Sequence, residues 1–337
     1  MSVSKIGTYV FYQHPNLETV ETGATLLEAY AFNSATKLET VDLTSSSAVT
    51  ISANAFNGST SLDALLIRST ARSALSNTSA LIGTKIVRGI GGIYVPADLL
   101  SSYKSATNWT SFQNNIYPLT AYPVTDFSTI SDSWETIIAN SNYATDYAVG
   151  DTKNIVLTDG TELYMQLVGI NLDDKADNSG KARMTWVSKE IYTTHRMNAT
   201  ATTSGGWAES EMRSWLRSDV LPLIPTAVRN SIVEVNKTYR TKSPNDETLS
   251  IADTIWIPSY KEMGLGTAAY VESDGVVYSG VFSSSANRIK YNASGTAARW
   301  WLRSVYNAAY FGGVSSGGSA NDYSASGASG VVLGFCI

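Results

Sequence analysis

The chain closes with Arg299–Ile337, RWWLRSVYNAAYFGGVSSGGSANDYSASGASGVVLGFCI, and the reading of this stretch decides the fold of the half that precedes it. Trp300, Trp301 and Leu302 open it, Val331, Val332, Leu333 and Phe335 end it, and the span between is rich in Gly, Ser, Ala, Asn and Tyr. The two apolar ends read as core strands that pair and anchor, leaving the residues between them as a loop with no duty in folding. That composition suits recognition, because tyrosine gives a large contact area at low entropic cost while Ser, Gly and Asn adapt their hydrogen bonds. From Val305 to Gly330 there is no Lys, Glu, Gln, Met or Trp. Those five types cannot be encoded by a codon ending in a pyrimidine, so adenine-directed mutagenesis would leave this signature, as would an ordinary Gly/Ser-rich loop. The expected contact residues are Tyr306, Asn307, Tyr310, Phe311, Ser315, Ser316, Asn321, Asp322 and Tyr323, with Phe311 equally able to fold back onto the sheet.

Outward from that stretch, composition bounds the rest. The 337 residues are enough for two domains with separate cores. A net charge of -5, with Lys and Arg scattered, argues against a nucleic-acid surface. No apolar stretch approaches the roughly 20 residues of a membrane-spanning helix. The N-terminus lacks the basic and apolar regions of a secretory signal, so export by another route is expected. The single cysteine, Cys336, excludes an intrachain disulfide and sits in an apolar run as a packing residue. His14 and His195 are too few and too far apart for histidine-based chemistry.

Three segments near the N-terminus superimpose: YVFYQHPNLETV, YAFNSATKLETVDL and NAFNGSTSLDALLI, with Phe11, Phe32 and Phe56 aligned and Leu17, Leu38 and Leu62 following at one offset. Units of this period bury their apolar side only against neighbours, which predicts a solenoid. After it, IYVP reads as a last strand stopped by Pro96, and ADLLSSYKSATNW as an amphipathic helix whose Leu99, Leu100, Tyr103 and Trp109 cover the open end. The segment 122–146 reads as a linker with one docked helix carrying Trp134, Ile137 and Ile138. Further on, NIVLTDGTELYMQLVGI reads as a hairpin about Asp159-Gly160. A helix carries Met212, Trp215 and Leu216, a short one follows Pro225, and DTIWIP is a buried strand ended by Pro258. Asp173, Asp174 and Asp177 in NLDDKADNSGK read as a solvated hairpin tip, since they lack the alternation of a calcium loop.

The repeat pattern resembles the BspA-like leucine-rich repeats of bacterial surface proteins and gut phages. In the second half, VGDTKNI, GGW.ESEMR.WL, IWIPSYKE, RIKY, WWLRS and GVVLGFCI occur in an order that resembles an uncharacterised family at the C-termini of gut-bacterial surface proteins and phage tail-associated proteins. That family is similar to the C-type lectin fold used by the variable proteins of diversity-generating retroelements, although many members end in GVRP and this chain does not. The resemblance implies an α+β architecture: residues 1–121 a short leucine-rich-repeat solenoid with a capping helix, 122–146 a linker, and 147–337 a C-type lectin-like ligand-binding domain.

It further implies a receptor-binding protein of a phage tail fibre or tail tip, located on the virion, or alternatively an adhesin on the surface of a gut bacterium. The expected partners are a host cell-surface protein or glycan and other virion tail proteins. A homotrimer is compatible with that role, although no coiled-coil heptads are present to drive it. No enzyme activity is expected, because there is no G-x-S-x-G elbow and one histidine alone lies in the second half. No metal and no cofactor are expected either: the sugar-binding triplets of calcium-dependent lectins are absent, and the glycines of FGGVSSGGSAN precede neither a helix start nor a lysine.

Overall fold

The computed structural model describes residues 4–124, 126–243, 245–265 and 275–337. It divides into two compact units, Met1–Phe127 with Ser294–Thr296, and Ser128–Ala293 with Ala297–Ile337.

In the first unit each repeat lays one strand in each of two parallel sheets. One sheet stacks β1 (Lys5–Ile6), β3 (Leu26–Leu27), β5 (Thr50–Ile51) and β7 (Ala74–Leu75) in that order; the other stacks β2 (Thr19–Thr22), β4 (Thr40–Leu43), β6 (Ala64–Ile67), β8 (Gly92–Val95) and β9 (Ile116–Pro118). Because successive repeats stack in register, equivalent side chains lie over one another. The Phe11, Phe32 and Phe56 rings stack nearly flat, with centroids 5.1 and 5.2 Å apart, close to the inter-strand spacing of a sheet. Leu38, Leu62, Val41 and Leu65 are fully buried beside them.

The capping segment closes the end at β7. Helix α1 (Leu100–Ser105) carries Tyr103, whose hydroxyl accepts from the Ser73 N–H at 2.7 Å, while Trp109 Nε1 donates to the Ser73 carbonyl at 3.0 Å and Asn108 Nδ2 to the Leu75 carbonyl at 2.7 Å. Tyr103 and Trp109 are fully buried and Leu99 and Leu100 pack partly against the same core. Two details differ from the sequence reading. Trp109 begins a separate 3-10 turn, and the strand before Pro96 is followed by β9, which pairs with it in parallel through Ile93 and Ile116.

The segment expected as a linker divides. Residues from Ser128 onward count with the second unit, where Ile130 and, on α2 (Trp134–Ala139), Trp134 and Ile137 enter the main core. A further turn of helix, α3 (Tyr143–Asp146), precedes the first strand. Trp134 stacks edge-on to Trp186 at 5.1 Å and donates from Nε1 to the Asn154 carbonyl at 2.8 Å.

The second unit holds two larger sheets and two small pairs. The first sheet orders β10 (Thr152–Val156), β11 (Glu162–Ile170), β12 (Met184–Ser188) and β22 (Gly334–Cys336), all antiparallel. The expected hairpin joins β10 to β11, with Gly160 at φ +87 and the Thr161 N–H donating to Asp159 Oδ1. The second sheet orders β13 (Thr193–Arg196), β21 (Ala328–Val331), β18 (Trp300–Val305), β19 (Tyr310–Val314) and β20 (Ala320–Ser324). The small pairs are β14 (Val235–Tyr239) with β15 (Leu249–Asp253), and β16 (Lys290–Tyr291) with β17 (Ala297–Ala298). Helices α4 (Glu211–Trp215) and α5 (Thr226–Arg229) bury Met212 and Val228 in the main core. DTIWIP does not form a regular strand: Ile255, Trp256 and Ile257 are buried, and Trp256 alone bridges to Gly334.

The adjacent tryptophans now have a physical reason. Strand side chains alternate between faces, and the sheet holding β18 is covered on both. Trp300, Leu302 and Val314 enter one apolar cluster while Trp301, Val305 and Phe311 enter the other. Each indole N–H is satisfied, Trp300 by the Arg288 carbonyl at 3.0 Å and Trp301 by the His195 carbonyl at 2.7 Å. The mixed α and β composition agrees with the sequence reading.

Candidate functional site

The segment expected as a display loop, Val305 to Gly330, is largely sheet. It supplies β19, β20 and most of β21, pairing Tyr310 with Ser324, Phe311 with Tyr323, Gly312 with Asp322 and Gly313 with Asn321. Its residues therefore do contribute to folding. Phe311 is fully buried among the main core residues and is removed from the contact set. Gly312 and Gly313 are needed where they stand: a Cβ at Gly312 would lie 2.3 Å from the Tyr260 ring, and one at Gly313 2.6 Å from that of Tyr323.

The remaining contact candidates fall in three places. Tyr306 and Asn307 lie in the turn between β18 and β19, and Tyr310 opens β19 beside them. Ser315 and Ser316 lie in the turn at the opposite end of β19, a strand of five residues away, or about 17 Å at the usual rise. Asn321, Asp322 and Tyr323 are on β20, the edge strand of the sheet. They do not form one contiguous loop.

The turn 306–309 is the best-built of the three. Asn307 Oδ1 accepts from the Ala309 and Tyr310 N–H groups at 2.9 and 3.0 Å, and the Tyr306 and Asn307 N–H groups donate to the Tyr310 carbonyl. An Asn side chain closing its own turn is the local reason the chain reverses here. A second segment then fixes the turn from outside: the Thr203 hydroxyl donates to the Asn307 carbonyl at 2.7 Å, and the Thr203 N–H to the Ala308 carbonyl at 3.0 Å. The same segment is tied to a third, since Met197 and Asn198 N–H groups donate to the Ala325 carbonyl while Ala325 N–H donates to the Ala309 carbonyl. Asn198 and Glu211 hold the base: Asn198 Nδ2 donates to the Thr202 carbonyl, and Glu211 Oε1 accepts from the Ala199 N–H. The result is one surface from residues 197–204, 306–310 and 324–327. It presents Asn307, Ala308 and Tyr310, the last 39% exposed, together with Ala199, Thr200 and Ser326.

On the edge strand, Tyr323 is half-buried: its ring meets Trp301 edge-on at 5.8 Å and the Arg299 guanidinium lies 4.8 Å from its centroid. Burial pushes the Tyr323 hydroxyl and the Asp322 carboxyl above their ordinary values. Asn321 is exposed, with its carbonyl accepting from the Tyr260 hydroxyl. Ser316 is exposed, whereas Ser315 closes its own turn, its N–H donating to the Ser319 carbonyl and its Oγ accepting from the Ser319 N–H.

The sequence reading missed the 197–204 segment, because nothing in its local pattern announces that it folds against a turn a hundred residues later. It also missed Tyr260, which meets a candidate residue from outside the stretch, and Arg299, which meets one from the stretch's first position. Elsewhere, His195 stacks on Trp215 at 4.2 Å, and Cys336 is fully buried, its thiol pushed well up by that burial. Among the described residues no group of three or more His, Cys, Asp or Glu could hold a metal ion, and no helix is long and apolar enough to cross a membrane.

The fold and surface thus define a two-part chain, a parallel-stacked repeat unit joined to an α+β unit whose segments 197–204, 306–310 and 324–327 build the candidate surface. Residues 1–87 match the BspA type Leucine rich repeat region, in 6 copies, and residues 183–337 match a domain of unknown function, DUF6273. The chain joins BspA-type leucine-rich repeats at its N-terminus to a DUF6273 domain at its C-terminus. No curated protein and no solved structure matches it.

Proposed function

We propose that the C-terminal unit is a binding module that presents the surface of residues 197–204, 306–310 and 324–327 to a ligand on a cell surface, with the repeats as a rigid adaptor. The observation that carries this reading is the segment 306–310: exposed Asn307 and Tyr310, held by Thr203 and by the Asn307 side chain on a sheet packed on both faces. Presenting large, adaptable side chains from a rigid scaffold lowers the ordering cost of binding. A C-type lectin-like scaffold and a role as a phage tail receptor-binding protein complete the proposal, on the strength of the ordered motifs from GGW to GVVLGFCI. A surface adhesin of a gut bacterium is the second reading, favoured by the BspA-type repeats. Binding is preferred to catalysis because His195 and Cys336 are both engaged in packing.

The test is saturable binding of the purified full chain to a panel of intact gut-bacterial cells. Tyr306→Ser, Asn307→Ser and Tyr310→Ser combined should lower affinity tenfold or more with the circular dichroism spectrum unchanged. Full binding by that variant would sink the reading.

A further inference from the structure

A cluster of ionisable side chains that the recognition surface does not use lies in the core of the second unit. Asp173, Lys237 on β14, Glu262 and Arg303 on β18 are each at most 4% exposed. Asp173 was expected at a solvated tip and is instead enclosed. Lys237 Nζ donates to Asp173 Oδ1 at 2.6 Å, to Glu262 Oε1 at 3.1 Å and to the Tyr278 hydroxyl at 3.1 Å, and lies 3.9 Å from the Trp256 ring centroid. Arg303 grips Glu262 with both terminal nitrogens, at 2.5 and 2.8 Å. The other oxygen of Asp173, Oδ2, accepts from the Thr185 hydroxyl at 2.7 Å and faces the Cys336 thiol at 3.7 Å.

The backbone aims the amine at the carboxyl group. Residues 173–176 run antiparallel to β14: Lys175 bridges Val235, the Asn236 N–H donates to the Asp174 carbonyl, and the Ala176 N–H donates to the Glu234 carbonyl. Continued by one residue, that register sets Asp173 directly opposite Lys237, the relation in which cross-strand side chains meet.

We propose that Lys237 and Asp173 condense to an intramolecular amide, with Glu262 beside the amine relaying the second of two protons. The reactant is the ion pair. Burial pulls the Lys237 ammonium down, but Asp173 and Glu262 outweigh it and hold it above the ordinary lysine value. Burial likewise pushes Glu262 up, and Arg303 and Lys237 outweigh that, bringing it down to about 2, so the cluster rests fully ion-paired.

One proton passes along the 2.6 Å hydrogen bond from Nζ to Asp173 Oδ1, leaving a neutral amine beside a carboxylic acid whose other oxygen is polarised by Thr185. The nitrogen lone pair attacks Asp173 Cγ and forms the N–C bond. A second proton passes from nitrogen through Glu262 to the departing hydroxyl, the C–O bond breaks, and one water leaves. Nothing is oxidised or reduced, and Glu262 ends as the carboxylate it began as. The cluster loses one positive and one negative charge together, and the Arg303–Glu262 pair that stays is neutral. Two buried charges that are costly to desolvate are thereby replaced by an amide, and the fixed approach of the groups substitutes for activation of the acid by a cofactor.

This proposal stands apart from the binding reading and is tested without a ligand. Intact-mass measurement of the purified full chain should give a mass one water below that of the sequence, and a tryptic digest should contain a branched peptide joining Asp173 to Lys237. Asp173→Asn, nearly isosteric, should lose ammonia in place of water and reach the same cross-linked mass, while Lys237→Met should keep its full sequence mass. A wild-type chain that retains its full sequence mass after prolonged incubation at neutral pH overturns the proposal and leaves the cluster as an ion-paired network.

Discussion

Lys290 shows how a single residue sets a response of the whole fold. It is 2% exposed, its ammonium donates to the Ser188 carbonyl at 2.8 Å, and the Phe282 ring lies 5.2 Å away. Burial brings it down from the usual 10.5 to about 7. Between those values the unfolded chain holds a proton that the folded chain lacks, so this group makes stability rise with pH by at most about 1.4 kcal/mol per unit. Below about pH 7 both states are protonated and its cost is constant. Lys290→Met keeps the apolar stem and removes the charge. Urea unfolding at pH 7 and pH 9 should therefore show a larger gain at high pH for the wild type than for the variant. Equal gains would refute the assignment.

At the scale of elements, the repeat unit depends on its cap. Repeats bury their apolar sides only against one another, and the last one needs a different partner. Here that partner is built from Tyr103, Trp109 and Asn108, which also satisfy backbone groups of Ser73 and Leu75. Trp109→Ala removes a fully buried indole and leaves the Ser73 carbonyl unpaired. A loss of about 3–5 kcal/mol is expected, read as a lower thermal midpoint of the isolated repeat unit, residues 1–127, with the wild-type unit as its control. A change under 1 kcal/mol would mean that the cap is not what closes the array. The existence of the repeats was legible from the Phe and Leu spacing because each unit states its pattern separately. The cap's two-part build was not, since its hydrogen bonds depend on where the last strand ends.

At the scale of the molecule, the candidate surface predicts how the gene varies. If the terminal stretch is diversified by adenine-directed mutagenesis, deep sequencing across a propagated population should find substitutions at Tyr306, Asn307, Tyr310 and Asn321. Phe311, Gly312 and Gly313 should stay fixed, because one fills the core and a side chain at either glycine would strike a buried or half-buried ring. Uniform variation along the gene, with no nearby template copy, would end that idea and leave a surface of fixed specificity.

By itself the sequence determined the local grammar of this protein. Repeat period, hairpin, helices and the apolar strands at its end were all readable, because periodicity and turn residues act over short distances. It also marked the terminal stretch as the place to look for a surface. Only the tertiary structure decided which of its residues are free to act. Phe311 is buried because a sheet covered on both faces sends alternate side chains into two cores. Thr203 and Tyr260 matter because strand order brings distant segments together. Asp173 left the surface because the register opposite β14 set it against Lys237. Each outcome follows from pairing between residues far apart in the chain, which no short-range pattern encodes.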